Sequence, residues 1–245
     1  MAESEPSQPA AMFALSDIGC IREKNEDSLH IDPGLGLAVL ADGMGGHRAG
    51  DVASQLAVDT VVEMMLLADR QKDLQNLLRK SLLQANQEVY ESSRKNTDQF
   101  GMGTTLVAAL LQGNLAHIAH VGDSRAYLLD KDKLTQVTED HTYLAQIERL
   151  GADAGQIIAD SAVAKMLVRA IGIEPEVEID HCEIPLKPGD CLLLCSDGLT
   201  DMLSDEEIRD ILLQNKQGES TAEKLIQQAN RKGGPDNVSV ILICP

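Results

Sequence analysis

Eight short apolar runs, each bounded by Gly, Asp or Asn, constrain this chain more than any other feature. They fall at 13–19, 36–42, 104–112, 114–122, 125–130, 177–184, 191–197 and 237–244, and their aliphatic and β-branched content predicts strands. Helical spacing occurs chiefly in two places. Ala53, Ala57, Val61 and Met64 form one stripe from Ala49 to about Leu67, and Leu74, Leu78, Leu82, Ala85 and Val89 form another over 73–93. Near the end, SDEEIRDILL opens as a capping box on Ser204 and Glu207, with a further helix over 221–230. Paired helices at two places, with strands between them, break βαβ alternation. They predict an α+β fold in which antiparallel sheet carries helices on its outside. The stretch 143–169 holds helical fragments around a Gly- and Asp-containing break. It reads either as a plain helix–loop–helix or as a flap beside a site.

Aromatic residues make up only 2% of the 245 residues and Trp is absent, so the core must be Leu, Ile, Val, Ala and Met. Stacking platforms for single-stranded nucleic acid are correspondingly scarce. A net charge of −18 disfavours nucleic acid and anionic membrane as partners. No apolar stretch approaches the roughly 18 residues of a membrane helix, and no secretory signal is expected. Five cysteines without a CxxC motif point to a reducing, cytoplasmic setting. Cys191 and Cys195 would lie roughly 13 Å apart along a strand, too far to share a zinc ion, and read as buried thiols. Residues 1–12 read as a flexible polar tail ahead of a single domain over 13–245, and monomer is the default state without coiled-coil heptads.

The chemistry lies at the strand ends. GLAVLADG places Asp42 after an apolar run, and LLLCSDG repeats the pattern at Asp197. Asp236 precedes a strand in GGPDNVSVI, and Asp123 follows one in AHVGDSR. GCIREKNEDS adds Arg22, Glu26 and Asp27. One Asp-Gly is ordinarily a turn. Several carboxylates at strand ends, next to glycines that let main chain approach an ion, indicate a shared cation site. Such carboxylates repel one another unless cations intervene. Oxygen-only donors suit Mg2+ or Mn2+ rather than zinc. His117 and His120 lie on opposite faces of a strand and read as structural or surface groups. Two hard cations with an Arg fork suit phosphate-ester hydrolysis with water as nucleophile. No cysteine stands in a CxxxxxR pattern, so no covalent phosphoenzyme is expected.

SDIGCIREKNEDS, AVLADGMGGHRAG, FGMGTTLVAALL, AHVGDSRAYLL, LTQVTEDHT, MLVRAIG, GDCLLLCSDGLTDML and GGPDNVSVILI, in that order over about 13–244, resemble the metal-dependent protein phosphatase family of the 2C type in its compact bacterial form. The resemblance implies a four-layer α-β-β-α sandwich, with 143–165 as the family's variable flap. Asp42 would bridge two core metals and the Gly43 carbonyl would ligate one of them. Asp197 and Asp236 would hold the other. Asp27 and Glu26 would act on the same centre, partly through water. Asp123 and Asp201, with Asp197, would form a third metal site, and Arg22 would bind the substrate phosphate. Gly45 and Gly46 would keep the loop clear of substrate. Phosphoserine and phosphothreonine proteins would be the substrates, in opposition to a bacterial Ser/Thr kinase. His47 is a candidate general acid. Animal members place a His directly after the Asp-Gly, whereas Met-Gly-Gly intervenes here, so substrate contact or loop packing stays open for it. His141 reads as a structural polar contact. Two other readings compete: a phosphatase dedicated to a few partners, and a non-enzymatic cation-binding module, which no D-x-D-x-D-G loop supports.

Overall fold

The computed structural model describes residues 10–44, 49–68, 73–151, 163–214 and 218–245. Two antiparallel sheets form its centre. The first runs from β1 (Ala11–Asp17) through β11 (Val238–Cys244), β10 (Cys191–Cys195) and β7 (Arg125–Asp130) to β8 (Lys133–Gln136). The second runs from β2 (Asp27–Asp32) through β3 (Leu37–Met44), β5 (Leu106–Gln112) and β6 (Leu115–Val121) to β9 (Asp180–Pro185), with the two-residue β4 (Gly103–Thr104) paired to the end of β3. Helices α1 (Gly50–Leu67) and α2 (Leu74–Lys95) cover the second sheet, and α5 (Asp205–Gln214) and α6 (Glu219–Arg231) cover the first. Two short helices, α3 (Tyr143–Arg149) and α4 (Asp197–Thr200), lie at the end of the sandwich that carries the acidic residues.

The layers follow from side-chain alternation. Leu37, Val39 and Ala41 pack under α1 and α2, while Ala38 and Leu40 face the other sheet. Leu193, Val240 and Leu242 pack under α5 and α6, while Leu192, Leu194, Ile241 and Ile243 face inward. Central strands are thus apolar on both faces, so they read as unbroken runs rather than alternating ones. The core is aliphatic as composition requires, with Tyr127 its one fully buried large aromatic among the described residues. Helix starts follow their caps. Asp73 accepts the Asn76 N–H at 3.1 Å. Glu207 N–H donates to Ser204 Oγ at 3.3 Å while Ser204 N–H donates to Glu207 Oε2 at 3.0 Å, the reciprocal capping box.

The structure moves several expected boundaries. β1 begins at Ala11, two residues ahead of the run expected from 13, and Met12 packs between the sheets. β3 continues past Asp42 to Met44 because β4 offers two more partners. β9 starts at Asp180, three residues into the run expected from 177. β2 and β8 went unread because they are edge strands whose DSLHID and KLTQ bury little. The expected helical fragment at 160–168 is not helical where it is described. Residues 163–165 form a turn, and Leu167 bridges Thr142.

Candidate metal centre

The antiparallel register brings the acidic strand ends to one end of the sandwich. Asp27 begins β2 and is the direct cross-strand partner of Asp42 on β3. Asp197 follows β10, Asp236 precedes β11, and these two strands are paired. Asp123 follows β6. A cavity of about 730 Å³ is lined by Arg22, Glu26, Asp42, Gly43, Asp123, Asp197 and Asp236. A smaller one of about 150 Å³ is lined by Asp123, Asp197, Asp201 and Lys165. Asp197 opens α4 and Asp201 closes it, so one helical turn places both carboxylates on one side.

Backbone anchors fix each acid. Asp42 N–H donates to Thr105 Oγ1 at 3.0 Å, and its carbonyl accepts from Thr105 N–H and Thr104 Oγ1, each at 2.8 Å. Asp27 Oδ2 accepts from the hydroxyls of Ser196 at 2.9 Å and Ser239 at 2.6 Å. Ser239 in turn bonds Ser16, which accepts from Asn25 Nδ2. Asn237 staples the loop that carries Arg22. Its Oδ1 accepts Glu26 N–H, and its amide donates to the carbonyls of Ile18 and Lys24. The two Asp-Gly pairs share one steric reason: a Cβ on Gly43 would strike the Gly50 carbonyl, and one on Gly198 the Asn237 carbonyl. These glycines let the end of β3 pass close to the start of α1, and α4 pass close to the segment that enters β11.

Burial and mutual repulsion make the charged form of the cluster costly. Burial pushes the carboxyls of Asp27 and Asp197 up to about 6 and that of Asp123 up to about 7, with neighbouring aspartates adding to each shift. Asp42 is pushed well up, by burial first and then by Asp27, Asp197 and Asp123. Arg22 Nη2 sits 2.6 Å from Asp236 Oδ2, and Lys165 Nζ 2.6 Å from Asp201 Oδ2.

The donor set fits hard divalent ions. Asp27 Oδ1 and Asp197 Oδ1 are buried and have no hydrogen-bond partner, so each leaves a ligating oxygen free. A second grouping, His120, His141 and Asp180, places one donor atom of each within 4.8 Å of the others. Several of its atoms already have partners within the protein. His141 Nδ1 accepts Gly122 N–H at 3.1 Å, which leaves a proton on Nε2 facing Asp180 Oδ2 at 3.3 Å. His120 Nε2 meets the Glu139 carbonyl at 2.8 Å, and Arg169 Nη1 binds Asp180 at 2.8 Å. The Arg169 guanidinium already supplies positive charge at Asp180, and through the His141 bond to Gly122 this grouping braces the residue beside Asp123. His141 is the structural contact expected of it. Burial pushes it down to about 4.

The structure therefore brings Arg22, Glu26, Asp27, Asp42, Gly43, Asp123, Asp197, Asp201 and Asp236 to one end of the sandwich. His47, Gly45 and Gly46 lie outside the described residues, as does 152–162 of the expected flap. The described flap ends meet: Tyr143 N–H donates to the Met166 carbonyl and Leu144 N–H to that of Ala164. Residues 165–170 line the large cavity. Sequence reasoning missed the positioning groups Thr105, Ser196, Asn237 and Ser239. Their one signal is adjacency to the expected ligands in TTL, CSDG and DNVSV.

The protein phosphatase 2C family model matches residues 14–238. The serine/threonine phosphatase stp of Listeria welshimeri is 39% identical over 240 residues, which cover 93% of each chain. The crystal structure of the serine/threonine phosphatase Stp1 from Staphylococcus aureus superposes with a TM-score of 0.90 at 32% identity, covering 100% of this chain and 98% of that one. The catalytic domain of the phosphatase PstP in complex with 2 manganese ions does so with a TM-score of 0.85 at 37% identity, covering 96% and 97%. The four-layer sandwich, the order of its motifs and these likenesses agree: the chain belongs to the protein phosphatase 2C family.

Proposed function

We infer that this chain is a metal-dependent serine/threonine protein phosphatase that opposes a bacterial Ser/Thr kinase. The observation that carries the reading is the cavity in which Asp42, Asp123, Asp197 and Asp236 converge under Arg22. In this reading Asp42, the Gly43 carbonyl, Asp197 and Asp236 would hold the two core Mn2+ or Mg2+ ions, with Asp27 and Glu26 acting on the same centre. Asp123 and Asp201, with Asp197, would hold a third ion. Bound there, the ions supply an activated water and offset phosphoryl charge.

The chain's own groups do the rest. Arg22 lies on the cavity rim and presents a planar fork to the phosphate oxygens, turning from Asp236 to do so. Asn237 holds the loop that carries Arg22, and Thr105 holds Asp42, so donor and ligand are positioned before substrate arrives. Residues 165–170 on the flap side form one wall of the cavity, where a peptide substrate would lie. Monomer is the default state in this reading, and five cysteines without a CxxC motif are in keeping with the cytoplasm.

Release of inorganic phosphate from a phosphothreonine peptide tests the reading. We expect turnover with Mn2+ and its loss with EDTA. Turnover that persists after complete chelation, or a trapped phosphoenzyme, overturns it.

A further inference from the structure

Cys191 and Cys244 are direct cross-strand partners, since β10 and β11 pair with Leu192 opposite Ile243. The Ser196 N–H donates to the Ser239 carbonyl at 3.1 Å, so Ser196 and Ser239 form a hydrogen-bonded pair. Counting back along the ladder by twos, Cys191 and Cys244 fall at a non-hydrogen-bonded site. Such sites bring Cα atoms to about 4.5 Å, within the span a disulfide bridges. Their sulfurs lie 3.8 Å apart on the same face of the sheet. Cys191 is fully buried, whereas Cys244 is partly exposed, so an oxidant reaches the pair from one side only.

We propose that Cys191 and Cys244 form a reversible dithiol–disulfide site that reacts with hydrogen peroxide and clasps β11 to β10. The Cys244 sulfur attacks the peroxide oxygen. An S–O bond forms, the O–O bond breaks, and water leaves with the thiol proton. The Cys191 sulfur then attacks the Cys244 sulfenic sulfur, and the S–O bond breaks as a second water leaves with the Cys191 proton. Two thiols are oxidised by two electrons while one peroxide is reduced to two waters. A hydrogen bond accepted from the Cys191 thiol lowers the Cys244 thiol from its ordinary value, which favours Cys244 as the attacking group. The clasp closes a loop from 191 to 244. The other end of the same two strands presents Asp197 and Asp236, so it fastens the ribbon on which both acids are mounted.

The test treats the full chain with hydrogen peroxide, alkylates it under denaturing conditions and maps the peptides by mass spectrometry. We expect two of the five thiols to vanish together, a peptide joining Cys191 to Cys244, a Tm higher by about 5–15 °C, and reversal by dithiothreitol. In Cys244→Ser, Cys191 should stay alkylatable and the Tm rise should disappear. In Cys191→Ala, Cys244 should be trapped by dimedone as the sulfenic acid. Cys191 remaining alkylatable after Cys244 has oxidised, or a cross-link from Cys244 to exposed Cys20 instead, overturns the proposal.

Discussion

Asp27 and Asp42 stand directly opposite each other across the β2–β3 ribbon, where like charges repel. The fold tolerates the pair because protons or cations neutralise it. With Asp27 and Asp197 raised to about 6 and Asp123 to about 7, the folded chain binds more protons than the unfolded one between about pH 4 and 7. That contribution to stability is complete below about pH 4 and is lost as pH rises through 6 to 7. His141 works in the opposite sense at lower pH, since its folded value near 4 costs stability as pH falls from about 6.5. The metal-free protein should therefore lose Tm from pH 6 to 8. Added Mn2+ should raise Tm more at pH 8 than at pH 6, because bound ions displace protons. Thermal scans in EDTA and in Mn2+ check this; an Mn2+ increment independent of pH contradicts it.

Arg22→Ala should lower kcat/KM on a phosphopeptide about 10- to 100-fold, the range for one charge-assisted contact of about 1.5–3 kcal/mol. Arg22→Lys should recover part of the loss by charge alone. Steady-state kinetics at saturating Mn2+ separate this from a metal effect.

Asn237→Ala removes one acceptor from Glu26 N–H and two donors from the Ile18 and Lys24 carbonyls. A loss of about 2–4 kcal/mol in unfolding free energy should follow in urea titration. Activity should fall further than Tm alone explains, because the loop bearing Arg22 loses its staple.

Lys165→Ala frees the Asp201 carboxylate from an ion pair at 2.6 Å. Mn2+ affinity at the proposed third site should rise about two- to five-fold by titration calorimetry, the yield of one exposed pair. The two core ions should bind unchanged.

Much of this was legible in the chain. The central strands were visible because both faces are buried, as in Leu37 to Ala41, and the capping box at Ser204 was visible because its two side chains bond reciprocally. β2 and β8 were not, because an edge strand such as KLTQ owes its pairing to a neighbour rather than to its own apolar content. The acids of the centre were legible as types beside glycine. Their anchors Thr105, Ser196, Asn237 and Ser239 were not, because a small polar residue next to a strand acquires its role only from the residue that tertiary contact brings to it. Asn237 reaches Lys24 across 213 positions, and no local pattern encodes that distance.

The measurement that tests the central claim most directly is phosphate release from a phosphothreonine peptide by the wild-type chain and by Asp197→Asn, each titrated with Mn2+. The account predicts Mn2+-dependent turnover in the wild type. It predicts turnover reduced by two orders of magnitude or more in the variant, with weaker Mn2+ binding by calorimetry and a fold preserved by circular dichroism, since the substitution removes one ligating charge. A variant that turns over at the wild-type rate with unchanged Mn2+ affinity would contradict it.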